Sequence, residues 1–296
     1  MSLYGVIHAA RGIVNSPMLR PARLRWEEKQ FLGPGNLGAY FGVYGTFGEA
    51  RARLPQNPGF DTAALAPEYV NVRTQRVFEY DYPMIRWLER AFQAGATSVL
   101  DIGGSVGVHF YSYGKYLKMP AALNWRVVEV PEMVSIGQAL ATKSGAVALS
   151  FSTDLAEAMS SARREIWISA GAIQYFEDAH PARLLEQCRT RPTHILLNKL
   201  PLYDGEDFVT TQSIGEGSFS PVHVYNKTDF IRSIERMGYV LCDGWDVHER
   251  AMHIPCDPEH SFSAFSGLYF LRHSRGGDSN ENRWAARPAT TFPTSL

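Results

Sequence analysis

The stretch Asp101-Ile102-Gly103-Gly104-Ser105-Val106-Gly107 sets an acid directly before a run of glycines. Glycine has no Cβ, so such a turn can be tight and a ligand can approach its backbone closely. Val99 and Leu100 ahead of it read as a buried strand, and Val106 to His109 as the start of a helix. Strand, acid, glycines and helix form an arrangement in which a nucleotide-like ligand lies against bare main chain. Glu129 ends the next apolar run, where its carboxylate can accept hydrogen bonds from both ribose hydroxyls and disfavour a phosphorylated ribose. Ser152 and Asp154 follow a further strand, where Asp154 can cap the helix that comes next. Ser169, Ala170 and Gly171 are small enough for a ligand chain to pass close by, with Ile173, Gln174 and Tyr175 turned toward a second substrate.

Three ligands compete for this turn. A nicotinamide or flavin dinucleotide requires the register G-x-G-x-x-G, and neither Gly103 nor Gly104 starts it. Asp101 is expected to repel a pyrophosphate as well. A P-loop requires Gly-Lys-Ser/Thr, which does not follow. S-adenosyl-L-methionine has no phosphates and carries a cationic sulfonium and amine, so an acid beside it attracts. Moving a methyl group to a hydroxyl then requires a base. His109 on the first helical turn, His223 in the 201–226 segment and, below them, His180 are the candidates, each with an alternative structural role. No ligand spacing supports a metal site.

The elements that position these groups alternate. Arg76 to Phe92 has helical spacing, with Pro83 as a kink or restart. Strands are expected at 98–102, 125–130, 146–151, 165–170 and 193–200. Helices fall between them: one entered at Pro131, one capped by Asp154 and one capped by Asp178. A last helix at 226–237 precedes two strands, 239–246 and 266–273. The pattern predicts an α/β fold: a Rossmann-like, seven-stranded, mostly parallel sheet with helices on both faces and an antiparallel C-terminal edge hairpin. The ligand then sits at the carboxyl ends of the strands, beside the switch point. The acidic, hydroxyl-rich 201–226 segment reads as a long loop over the second substrate. Residues 1–75 read as a mainly helical extension or cap, with a capping box at Thr46 and Glu49; 76–273 read as the main domain and 274–296 as a mobile tail.

A net charge of −1 argues against a nucleic-acid partner. Cys188, Cys242 and Cys256 form no CxxC pair, which fits a reducing, cytoplasmic setting. No run is apolar enough to span a membrane or act as a secretory signal. Arg11, Arg20, Arg23 and Arg25 precede the first acid, Glu27, so the N-terminus is either a solvated basic helix or an arm touching a membrane surface.

Val99 to Gly107 resembles motif I of the class I S-adenosylmethionine-dependent methyltransferases, with Asp101, Gly103 and Gly107 matching and Ser105 where a middle glycine is usual. In that family Glu129 and Asp154 stand at the ribose- and adenine-contacting positions. The chain is further similar to a group of bacterial methyltransferases often associated with surface-polysaccharide gene sets. The likeness runs through "GVYGTFGEA" within Tyr40 to Ala50, Asp101 to Tyr111, Trp125 to Pro131, Leu197 to Gln212 and Gly238 to Trp245. The resemblance implies methyl transfer, O-methylation foremost, to a small-molecule or glycan-linked acceptor. Cofactor contacts are then expected from Asp101, Gly103, Gly104, Ser105, Gly107, Glu129, Ser152, Asp154, Ser169, Ala170 and Gly171, and catalytic ones from His223, His109 and Tyr175. A binding module without turnover and, further off, an NAD(P)-dependent oxidoreductase are the alternatives.

Overall fold

The structure, a computed structural model, describes residues 19–160, 165–178 and 180–273. Arg11 and the expected tail 274–296 lie outside the described residues. Strands β2 (Ser98–Ile102), β3 (Asn124–Val128), β4 (Leu149–Ser152), β5 (Ile166–Ala170) and β6 (His194–Leu200) are parallel to one another. With β10 (Tyr239–Val247) and β13 (Phe265–Arg272) they make a seven-stranded sheet in the order β10-β13-β6-β5-β2-β3-β4. The α/β class and the seven-stranded, mostly parallel sheet are as the alternation predicts. The C-terminal pair is antiparallel, as expected, but β13 lies inside it, antiparallel to both β6 and β10.

Strand order reverses around β2, which pairs with β3 on one side and β5 on the other. Its carboxyl end, where the glycine turn begins, is therefore the switch point. Side chains alternate along β2, so Leu100 and Ile102 face one core while Val99 and Asp101 face the other. The first core joins α6 (Leu155–Ser160), α7 (Pro181–Gln187) and α8 (Lys227–Glu235) through Met159, Leu184, Leu185, Phe230 and Ile234. The second joins α3 (Tyr82–Gln93) and α4 (Val108–Tyr113) through Met84, Leu88 and Tyr113, with Trp125 at its centre. α5 (Pro131–Ser144) closes on the left-handed Gly145. No helix among the described residues is long and apolar enough to cross a membrane.

Several local expectations are corrected. α3 starts at Tyr82 with Pro83 in its first turn, because the ring suits a helix start and cannot donate inside one. His180, not Asp178, caps α7; its ring accepts from the Ala182 N–H at 3.2 Å. The 201–226 segment is not a loop. It forms β7 (Leu202–Tyr203), β8 (Phe208–Gly215) and β9 (Ser218–Asn226) of a second, four-stranded sheet ordered β1-β8-β9-β7. Its edge, β1 (Tyr40–Tyr44), comes from the N-terminal segment, which also supplies helices α1 (Arg20–Phe31) and α2 (Phe47–Arg51). Thr210, Thr211, Gln212 and Ser213 are polar by type, yet all are buried, because β8 is an inner strand of this sheet, flanked by β1 and β9, with α2 packed on it and Gln212 turned to Tyr175. The hydroxyls of Thr210 and Thr211 donate to the Gly42 and Phe41 carbonyls, both at 2.7 Å. A further hairpin, β11 (Met252–Ile254) with β12 (Asp257–Phe262), fills the connection between β10 and β13.

β8 and β9 join through Glu216-Gly217, with φ of 51° and 71°. Two successive positive φ angles define a type I′ hairpin, which glycine tolerates and glutamate does not. Replacing Glu216 with Asn is expected to stabilise the fold by about 0.5–1 kcal/mol. A urea titration that shows a lower midpoint for E216N would contradict the assigned turn.

Candidate functional site

A cavity of about 590 Å³ opens at the carboxyl ends of β2, β3, β5 and β6 and is closed above by the second sheet and the segment after β10. Gly103, Gly104, Ser105, His109, Glu129, Ala170, Gly171 and Tyr175 line it. Asp101, Gly107, Ser152, Asp154, Ser169 and His223 do not. The fold thus brings together eight of the sequence-predicted site residues from three separate strand ends, those of β2, β3 and β5.

The turn is tight for a stated reason. Gly103 has φ +73°, and a Cβ there would lie 2.0 Å from the Ala172 Cβ. At Gly104 a Cβ would lie 2.4 Å from Asp101 Oδ2. The Gly103 N–H donates to the Val128 carbonyl at 2.9 Å, tying the turn to β3. Ser105 holds φ +53°, a region favoured by glycine, which explains why the related motif has glycine at this place.

Asp101 does not face the cavity. Its carboxylate is fully buried beneath Gly104 and accepts from His109 Nδ1 at 3.0 Å and Trp125 Nε1 at 3.2 Å. Strand alternation points it into the core rather than into the cavity. The expected charge discrimination by Asp101 is therefore corrected; its part is to anchor the turn and His109. A carboxylate only accepts, so the imidazole proton is assigned to Nδ1, leaving Nε2 as the ring's acceptor.

Glu129 sits at the end of β3 and accepts from the Val130 N–H at 2.7 Å. Burial pushes its carboxyl up to about 7, against the lowering effect of the Val130 and Ser105 N–H groups. Gln174 is 2% exposed and lines the cavity, and its Oε1 accepts no hydrogen bond among the described residues. Such an orphaned oxygen is a place for a ligand's donor. Tyr175 donates to Gln212 Oε1 at 2.7 Å; burial raises its phenol well above the ordinary range, so it remains neutral.

The remaining candidates lie off the cavity and make contacts within the fold. Ser169 donates to the Ile102 carbonyl at 3.0 Å and joins β5 to β2. Asp154 caps α6, accepting from the Glu157 N–H at 2.9 Å. Gly107 takes φ +91° before α4. His223 lies on β9, 3.5 Å from Asp207 and stacked on Tyr225 at 4.2 Å, outside the cavity. Because 201–226 folds as strands and not as a loop, His223 does not arch over the cavity as the sequence reading expects.

Sequence reasoning missed Arg73, Tyr80, Lys199 and Arg250, all of which line the cavity. Lys199 holds φ +54° at the end of β6, and burial lowers its pKa to about 8. The "LNKLPL" stretch put a lysine at a strand end, a weak signal that was available. Arg73 and Arg250 carry none, because they reach the cavity only through the tertiary arrangement.

No protein-family model matches this chain, and no curated protein matches its sequence. Among solved structures it is similar to magnesium protoporphyrin IX methyltransferase from Synechocystis PCC 6803 with bound SAM. Identity is 12% and the TM-score 0.45, over 73% of this chain and 88% of that one. A S-adenosylmethionine-dependent methyltransferase from Clostridium acetobutylicum ATCC 824 is similar at 9% identity and TM-score 0.48, over 72% and 98% of the two chains. The 1,6-didemethyltoxoflavin-N1-methyltransferase of Burkholderia thailandensis, with its substrate and S-adenosylhomocysteine bound, is similar at 12% identity and TM-score 0.43, over 72% and 87%.

Two measurements test this geometry. Gly104→Ala forces a methyl against the Asp101 carboxylate and is expected to cost about 1–3 kcal/mol. Ser105→Gly is expected to stay within about 1 kcal/mol of wild type, since relief of the positive φ offsets the entropy of glycine. Equal chemical-denaturation midpoints for both variants would contradict the packing described. Because the folded Glu129 pKa is raised from 4.5 to about 7, the stability it confers is complete below pH 4.5 and is lost as pH rises through 7. Glu129→Gln is expected to remove that component from the stability–pH profile.

Proposed function

We propose that this protein is an S-adenosylmethionine-dependent methyltransferase acting on a hydroxyl of a small or glycan-linked acceptor. The carrying observation is the cradle at the switch point: backbone left bare at Gly103 and Gly104, with the Glu129 carboxyl at the neighbouring strand end. Its residues fit such a cofactor. Ala172 and Asp101 occupy the places where side chains of residues 103 and 104 would start, so the turn meets the cavity as main chain alone, and Gln174 Oε1 offers an unused acceptor to an ammonium or hydroxyl. Glu129, once ionised, keeps lone pairs for both ribose hydroxyls beyond those engaged by the Val130 and Ser105 N–H groups. The glycine register, rather than Asp101, separates this reading from a dinucleotide site.

The bound cofactor supplies an activated methyl group on its sulfonium. What this chain adds is position and proton handling. His109, held by Asp101, presents Nε2 as a base for the acceptor hydroxyl. Tyr175, fixed by Gln212, is a neutral wall that orients the acceptor. The resemblance to proteins of surface-polysaccharide gene sets suggests a glycan or its precursor as acceptor. The arginines Arg20, Arg23 and Arg25 on α1 are consistent with contact at a cytoplasmic membrane surface.

Calorimetric titration of the full chain with S-adenosylmethionine tests the cofactor. Binding is expected to weaken at least tenfold in Glu129→Ala, and about tenfold in wild type for each pH unit below the Glu129 pKa. Absence of binding, or equal binding by the variant, would overturn the reading. With methyl transfer from labelled cofactor as the assay, His109→Gln is expected to lower kcat by roughly 10²–10⁴ while leaving cofactor affinity nearly unchanged.

A further inference from the structure

The cavity carries more positive charge than its cofactor can use. Arg73, Arg76, Lys199 and Arg250 line it, against the carboxyls of Asp81 and Glu129. Some of these are already engaged. Arg73 pairs with Glu68 at 3.2 Å and lies over the Phe78 ring. Arg76 is exposed and sits 4.6 Å from the Phe78 ring centre. Asp81 accepts from the Tyr113 hydroxyl at 2.9 Å and the Phe78 N–H at 3.0 Å.

Lys199 and Arg250 differ. Both are half-buried, and neither forms an ion pair among the described residues. The Lys199 ammonium stands 5.0 Å from the centre of the Tyr80 ring. Arg250 acts electrostatically on the phenols of Tyr40, Tyr69, Tyr80 and Tyr175 and on Lys199, so its charge is directed into the cavity. Its backbone is anchored. The N–H donates to the Val247 carbonyl at 3.1 Å, and its carbonyl accepts from the Phe265 N–H at 2.9 Å. An ordered segment therefore presents the guanidinium.

S-adenosylmethionine brings a sulfonium and an ammonium against one carboxylate, so it adds net positive charge. Its carboxylate can compensate one unpaired cation at most. Leaving a second cation, half-removed from water, without a counter-charge is unfavourable. Arginine's planar fork matches a carboxylate or phosphate in two parallel hydrogen bonds, and a neighbouring lysine adds a point charge. The surrounding phenols are held neutral by burial and do not compete with an incoming anion.

We propose that the acceptor carries an anionic group, a carboxylate or a phosphate, which Arg250 and Lys199 hold against the tyrosine-lined wall. This rests on the methyl-transfer reading above and narrows it to acidic acceptors such as uronates or sugar phosphates. A neutral sugar leaves Arg250 without an ion-pair partner among the described residues and Lys199 with only the longer-range attraction of Asp81 and Asp101.

The test uses the full chain, saturated with S-adenosylhomocysteine, at low and constant ionic strength. Galacturonate is compared with galactose, and glucose 6-phosphate with glucose, by calorimetry. At least one anionic sugar is expected to bind tenfold or more tightly than its neutral twin, which tells a carboxylate from a phosphate preference. Arg250→Gln is expected to abolish that advantage, Arg250→Lys to keep part of it, and both to leave S-adenosylhomocysteine affinity within twofold. Equal binding of the twins, or no binding of either anion, overturns the proposal. So does an Arg250→Gln variant that loses S-adenosylhomocysteine as steeply as the sugar, for the guanidinium would then serve the cofactor. Inorganic phosphate is also titrated into the free chain. Binding that needs Arg250, without any S-adenosylhomocysteine binding, would sustain the anion site and remove the methyl-transfer reading instead.

Discussion

The structure depends on one buried carboxylate. Asp101 has no contact with solvent and is held by His109 and Trp125 under the glycine turn. A charge in that position is tolerated only when its lone pairs are matched by donors. The match orders three things at once: the end of β2, the packing of α4 through His109, and the seating of β3 through Trp125. Gly104 must lack a Cβ because the carboxylate occupies that space. The bare backbone of the cavity is thus a consequence of packing beneath it as much as a provision for what lies above.

Around this anchor the cavity is assembled from segments far apart in sequence. The parallel sheet supplies its floor through strand ends, as switch-point geometry requires. The roof comes from the second sheet, in which β1 pairs with β8 across most of the chain, and from Arg250 after β10. Closing both sides removes water from Glu129, Tyr175 and Lys199 and displaces their proton affinities in the directions burial dictates. Two residues with positive φ, Ser105 and Lys199, stand at the cavity floor. Backbone strain of this kind persists where surrounding packing over-determines it.

The burial of 201–226 and the inward direction of Asp101 have the same origin. Thr210, Thr211 and Gln212 are polar by type and buried by position, since the N-terminal segment adds a strand beside β8 and packs a helix upon it. Local composition reports polarity; it does not report what lies above a strand. Asp101 stands before glycines, which suggests a ligand contact, but alternation along β2 turns it to the opposite side. The same strand formation puts His223 on β9, away from the cavity, and the Glu157 N–H engages Asp154 as a helix cap.

The sequence by itself determined the α/β class, the run of parallel strands, the switch point and the glycine turn with Glu129. These are set by short-range periodicity and by residues whose backbone demands are local. The tertiary structure alone decided the second sheet, the inward direction of Asp101, the engagement of His109 and the arrival of Arg73, Lys199 and Arg250 in one cavity. Those features depend on contacts between distant segments, whose energies come from burial and charge pairing rather than from any neighbour in the chain.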